Sequence, residues 1–188
     1  MRYINSLILA ATLATLQGCF PIVAVGLGAG ALAGADRRTM GSQIEDTAIE
    51  SKAASQIRSR YPVTVHVNVT SFNRHALITG EVPSEEIKTA IGKIVADVPN
   101  VKGVSNELEV GSLSTLAKRS NDSLITSNVK LRFLNNKVFL PDHVKVVTEA
   151  NVVYLMGLVD HKEAAAATDI ASNSKGVERV VTSFEYLD

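Results

Sequence analysis

The chain has 188 residues, a formal net charge of zero and an apolar fraction of 46%. A neutral protein has no overall field that would attract it to nucleic acid. The single cysteine excludes an internal disulfide and a cysteine-ligated metal cluster. We therefore expect one or two globular domains with enough apolar residues for a core.

The N-terminus has the features of a secretory signal peptide. An apolar run follows Arg2, and a small residue stands directly before Cys19. Residues 16–19 (Leu-Gln-Gly-Cys) resemble a bacterial lipobox, which implies that residues 1–18 are removed and that Cys19 is acylated. Because Phe20 and not an aspartate follows the cysteine, the resemblance implies the outer membrane. An ordinary signal peptide with an incidental cysteine is the alternative interpretation.

Residues 19–43 are predicted to be a lipidated tether. The stretch 20–35 is uncharged and rich in glycine and alanine. As a helix it would measure about 24 Å, less than the ~30 Å hydrocarbon core of a bilayer. Gly26, Gly30 and Gly34 have the four-residue spacing that lets membrane helices pack closely. We favour the flexible tether, with a membrane-associated helix as the alternative.

An internal repeat organises the rest of the chain. Residues 76–82 (ALITGEV) and 153–159 (VYLMGLV) place a glycine and a final valine in register. In each copy the glycine follows four apolar or β-branched residues. This pattern is typical of a strand at which the chain bends or another backbone comes close. We therefore predict structural roles for Gly80 and Gly157.

The first repeat is predicted to have the order helix, strand, strand, helix, strand. Ile49, Ala53 and Ile57 have helical spacing, whereas the residues that follow Pro62 alternate between apolar and polar types. Ser84 is a suitable N-cap for the second helix. The predicted strands are 63–72, 76–82 and 101–110, with a hairpin turn at 73–75.

The second repeat is predicted to have the same order. Its first helix is expected to be capped by Asn121 or Asp122 and to run to Leu134. The remaining predicted elements are strands at 144–148, 152–159 and 177–186, a turn at 149–151 and a helix at 161–174 that ends near Gly176.

Two αββαβ units, each with a glycine at a strand end and a valine-rich closing strand, resemble BON domains. Residues 38–43, 119–122, 154–159 and 167–172 are similar to the DolP (formerly YraP) family of dual-BON lipoproteins. The resemblance implies an α+β fold in which the helices of each domain pack on a small mixed three-stranded sheet. The predicted domains are 44–111 and 120–188, joined by a linker at 112–119.

The same resemblance implies a function. It implies a lipoprotein of the outer membrane that faces the periplasm, binds anionic phospholipid, gathers at division sites and supports outer-membrane integrity. It brings no catalytic residue and no cofactor.

The predicted helix 121–134 has more apolar residues than packing requires. Ile125, Val129 and Phe133 form one row, whereas Leu124, Leu131 and Leu134 lie on a neighbouring line. Five Lys and Arg residues accompany one acid, Asp122, between residues 116 and 140. Apolar helix faces rimmed by basic residues suit anionic lipid interfaces. The predicted site for phosphatidylglycerol or cardiolipin comprises Leu124, Lys130, Leu131, Arg132, Leu134 and Lys137.

The alternative for this helix is a solvated basic face, with Leu124 and Leu131 packed between the domains. The protein would then be an interaction scaffold for outer-membrane assembly machinery or a peptidoglycan-linked partner. A glycan-binding role is a third possibility, which the shortage of aromatic residues argues against. The four histidines lack metal-site spacing, and Asp160-His161 has no accompanying nucleophile motif. We therefore expect neither a metal site nor an enzyme.

Overall fold

The computed structural model of the protein describes residues 36–187. The described residues belong to one compact unit. The predicted signal peptide, Cys19 and the stretch 20–35 lie outside the described residues. Within residues 36–187, the helices are too short or too polar to cross a bilayer.

The first repeat has the predicted order of elements. They are α1 (Met40–Arg60), β1 (His66–Phe72), β2 (His75–Val82), α2 (Glu85–Ala96), β3 (Gly103–Asn106) and β4 (Glu109–Val110). The N-cap at Ser84 is confirmed, since its side chain accepts a hydrogen bond from the backbone nitrogen of Ile87. Helix α1 begins inside the predicted tether, because Thr39 accepts from the nitrogen of Ser42 and caps it.

The closing strand of the first repeat differs from the prediction. It is broken into β3 and β4, and both pieces pair in parallel with β2. The sheet therefore has four strands and not three. At the break, the side chain of Asn106 donates to the carbonyl of Lys88 in α2. Leu108, which follows, is buried in the core of the repeat.

The second repeat contains α3 (Leu116–Leu134), a short 3₁₀ helix (Pro141–His143), β5 (Val144–Glu149), β6 (Val152–Val159), α4 (His161–Ser172) and β7 (Arg179–Tyr186). Its sheet has the order β5-β6-β7. The predicted caps at Asn121 and Asp122 are wrong. Thr115 is the N-cap, so helix α3 starts five residues before Asn121 and within the predicted linker.

Each sheet is covered by its two helices on one face. In β2, Ala76, Ile78 and Val82 point to this face and pack with α1 and α2. In β6, Val153, Leu155 and Val159 do the same with α3 and α4. The two repeats therefore have separate helix-covered cores, and the α+β fold with two small mixed sheets is confirmed.

The uncovered faces of the two sheets pack against each other. Successive residues of a strand alternate between faces, so Leu77 and the even-numbered residues of β6 point away from the helices. Phe72 and Leu77 of the first repeat form a buried cluster with Val152, Tyr154, Met156 and Leu158 of the second. This contact buries β2 and β6 on both faces, and burial raises the pKa of Tyr154 to about 12.

Candidate lipid-binding face of helix α3

Helix α3 has a buried row and an exposed row on opposite sides. Ile125, Val129 and Phe133 are buried against the sheet. Leu124 and Leu131 are 70% and 60% exposed, respectively. Since successive helical residues are about 100° apart, these two leucines lie on the side opposite the buried row. The structure thus rules out the interpretation in which they pack between the domains.

Two further leucines extend the exposed row along the helix. Leu134 is 65% exposed near its C-terminus, and Leu116 is 79% exposed in its first turn. Leu116 was missed by the sequence analysis because the helix was predicted to begin at Asn121. Its spacing of eight residues from Leu124 was the available signal. We call Leu116, Leu124, Leu131 and Leu134 the leucine row.

Basic residues of the helix fall into two groups. Lys118 and Lys130 are exposed, as is Lys137 in the loop that follows the helix. Lys130 lies beside the leucine row and lines a cavity together with Leu131 and Leu134. Lys118 precedes Ile125 by seven residues, about two turns, and therefore lies on the line of the buried row and not beside the leucines. Arg132 is partly buried, and its guanidinium donates to the carbonyl of Ile170 at 3.1 Å and to Ser174 at 2.9 Å. Its geometry therefore fits a role in joining α3 to α4 better than the predicted contact with lipid.

The acid of this region does not neutralise the exposed face. Asp122 is buried on the sheet side of α3. Its carboxylate accepts hydrogen bonds from the backbone nitrogens of Ala150 and Asn151. Asp122 therefore does not neutralise Lys130, which lies beside the leucine row, although both residues belong to the same helix.

A cavity of about 460 Å³ opens beside the end of the leucine row. Leu131, Phe133 and Leu134 supply apolar walls, and Lys130 and Asp142 stand at the polar side. Its apolar lining suits a hydrocarbon group, whereas the carboxylate of Asp142 would repel a phosphate placed directly beside it.

The two repeat glycines lie in the sheets and not on this face. Gly80 has φ +119°, and an added Cβ would lie 2.0 Å from the carbonyl oxygen of His66. At Gly157 the corresponding atom would lie 2.5 Å from the carbonyl oxygen of His143. Both positions require a residue without a side chain, because a neighbouring strand approaches closely.

Both repeats of the chain match a known protein family, and the chain as a whole is similar to several bacterial proteins. The BON domain family matches residues 45–112 and 121–188. The chain is 36% identical over 186 residues to the outer membrane lipoprotein DolP of Haemophilus influenzae, covering 97% of this chain and 95% of that protein. It is 28% identical over 154 residues to the 21 kDa hemolysin of Actinobacillus pleuropneumoniae, covering 81% and 79%. It is also 28% identical over 148 residues to the osmotically inducible protein Y of Escherichia coli, covering 75% and 72%.

Proposed function

The chain belongs to the BON domain family as a dual-BON protein of the DolP type, and on this premise we propose that it is an outer-membrane lipoprotein. Acylated Cys19 anchors it, with residues 36–187 facing the periplasm. The leucine row of α3 and its lysines bind anionic phospholipid, such as phosphatidylglycerol or cardiolipin. Through this contact the protein supports outer-membrane integrity. Its similarity to DolP suggests that it acts at division sites.

One observation carries the lipid proposal, namely the leucine row on the solvent side of a helix that is already packed. Leucines at this side contribute nothing to the core, and apolar surface exposed in such a line commonly marks an interaction site. Inserted at a lipid interface, each buried CH₂ group would contribute about 0.8 kcal/mol.

The lysines make anionic lipid the better partner. Lys130 lines a cavity with Leu131 and Leu134, and Lys137 is exposed in the loop that follows the helix. Each basic residue near an anionic surface contributes about 1 kcal/mol, a contribution that salt screens. Leucines and lysines together therefore predict binding that requires both apolar insertion and negative headgroups.

The test uses the unacylated fragment 36–188, because the described residues 36–187 belong to one compact unit. The fragment is sedimented with vesicles of increasing phosphatidylglycerol or cardiolipin content at low and high salt. We expect pelleting that rises with anionic lipid and falls with salt. A Leu124→Glu, Leu131→Glu double variant should remain in the supernatant, because carboxylates oppose both insertion and the surface potential.

A charge-matched control separates the effect of this helix face on pelleting from the effect of the overall charge. Lys130→Glu, Lys137→Glu should abolish pelleting, whereas Lys93→Glu, Lys102→Glu makes the same charge change at exposed positions of the first domain and should retain it. Equal losses of pelleting in the two double variants would show a non-specific charge effect. Absence of pelleting at low salt would refute the lipid site and direct attention to an assembly-machinery or peptidoglycan-linked protein partner.

A further inference from the structure

A group of ionisable side chains lies between the two domains, away from the leucine row. His66 and Glu81 face each other across the β1–β2 hairpin, and Glu149 comes from the end of β5 in the second domain. The Nδ1 atom of His66 is 3.0 Å from Oε2 of Glu81 and 3.7 Å from Oε1 of Glu149. The side chains of both glutamates are 8% exposed.

These separations match the spacing of ligands around a small metal ion. Zinc binds imidazole nitrogen and carboxylate oxygen at about 2.0–2.2 Å, so two tetrahedral ligands lie about 3.3 Å apart. One potential ligand atom from each of His66, Glu81 and Glu149 lies within 4.8 Å of the other two. Three protein ligands would leave the fourth zinc position to water.

Neighbouring groups hold both carboxylates in place. Asn68 donates to Oε2 of Glu149 at 2.9 Å. The backbone nitrogen and hydroxyl of Ser114 donate to Oε2 of Glu81 at 3.2 and 3.1 Å. Such partners commonly orient metal-ligating carboxylates.

The electrostatics of the group favour a dication. Two carboxylates that lie close together in a buried site repel each other when both are ionised. A divalent ion would neutralise both carboxylates in one step.

The group is also open to solvent on one side. A cavity of about 370 Å³ is lined by His66, Asn68, Arg119, Asp122 and Glu149, among others. This cavity gives an ion and its water a route into the seam between the domains.

We propose that His66, Glu81 and Glu149 form a site for a divalent metal ion of the zinc type that joins the two BON domains. The sequence analysis missed it, because the three ligands are separated by 15 and 68 positions and meet only where the two sheets pack. The site goes beyond the proposed lipid function. Its role is to fix the second domain, which carries the leucine row, against the first.

The test titrates the full-length chain, purified in detergent and stripped of metal with EDTA, with ZnCl₂ in a calorimeter. We expect about one equivalent to bind and the melting temperature to rise, since an ion that binds the native state stabilises it. Glu149→Gln and His66→Gln should each weaken zinc binding by about 10-fold or more. His161→Gln removes an exposed imidazole outside the group and should leave the binding unchanged.

Glu149→Gln is the decisive variant, because glutamine has the same shape and its side-chain oxygen can still accept the hydrogen bonds that Asn68 and the hydroxyl of Thr79 donate to Oε2 of Glu149. Its far-ultraviolet circular dichroism without metal is compared with that of the wild type. A folded variant that has lost the zinc-dependent rise in melting temperature supports the site. Failure of the wild type to bind zinc, or full retention of binding in both Glu149→Gln and His66→Gln, would overturn it. Vesicle pelleting measured without zinc tests the lipid proposal separately.

Discussion

The carboxylate of Asp122 in α3 accepts a hydrogen bond of 2.9 Å from the backbone nitrogen of Asn151 in the β5–β6 turn. Ala150 and Asn151 both have positive φ, so this two-residue turn leaves backbone N–H groups pointing toward the helix. Asp46 makes the equivalent contact in the first domain, accepting from the nitrogens of Asn73 and Arg74. In both domains a buried aspartate thus joins the first helix to the hairpin.

This contact predicts a large cost for removing Asp122. Asp122→Ala leaves two part-buried N–H groups of the turn without their acceptor. A fully buried group of this kind costs about 1–3 kcal/mol, so partial exposure places each of these at the lower end of that range. We expect the free energy of unfolding, measured by urea denaturation of fragment 36–188, to fall by that order. Replacing the exposed Asp169 by alanine is the control and should change it by about 0.5 kcal/mol or less. Equal falls in the free energy of unfolding for the two variants would contradict the role of Asp122 in joining α3 to the β5–β6 turn.

Gly80 should tolerate no side chain. Gly80→Ala combines φ +119° with a Cβ placed against the carbonyl of His66. Backbone strain of this kind costs about 1–3 kcal/mol, and the steric overlap adds to it. Gly111→Ala is the matched control, since an added Cβ there meets no atom within 4 Å. Thermal unfolding followed by circular dichroism should show a large fall in melting temperature for the first variant, and a comparable melting temperature for both would refute the packing argument.

The sheet–sheet contact should couple the stabilities of the two domains. Leu77 is 1% exposed and contacts the second domain. Leu77→Ala should destabilise the protein by about 2–5 kcal/mol through lost burial and a residual cavity. Because the lost packing contact lies between the domains, we expect calorimetry to show two unfolding transitions in this variant where the wild type shows one. Leu187→Ala, at a position 47% exposed, is the control, and a single transition in both variants would argue against coupling through this contact.

Glu163 should contribute a pH-dependent part of the stability. Burial by itself would raise the pKa of Glu163, but hydrogen bonds from Arg37 and from the Asp160 backbone hold it below its ordinary value of 4.5. The carboxylate is therefore stabilised more in the folded than in the unfolded chain. This contribution to stability is complete above pH 4.5. It is lost as the pH falls through the lower pKa that Glu163 has in the folded chain.

The measurement is the free energy of unfolding between neutral pH and the acid limit of the fold. We expect a steeper decline below pH 4.5 in the wild type than in Arg37→Gln, because this variant removes the cation that lowers the pKa. Glu163→Gln should remove the same part of the slope. Parallel slopes in all three proteins would show that the Arg37–Glu163 pair does not set this dependence.

Periodicity and capping residues predicted most of the individual elements. The alternation of apolar residues and the repeated glycine placed β2 and β6 correctly, and Ser84 marked the start of α2. These signals are local, so neighbouring residues determine them. The start of α3 was wrong because Asp122 is a good N-cap by type, whereas its partner is a turn 28 residues further along the chain. Thr115 was the competing cap.

The sequence by itself determined two repeated α+β units, the leucines that exceed packing needs and the repeated glycines, each two residues before the end of its strand. Each depends on spacing within one element or on comparison of the two copies. Only the tertiary structure decided that the sheets pack through their uncovered faces and that the leucine row is exposed. It likewise decided that His66, Glu81 and Glu149 meet. The physical reason is that these relationships depend on which surfaces of separate elements bury each other, and no short-range pattern specifies that choice.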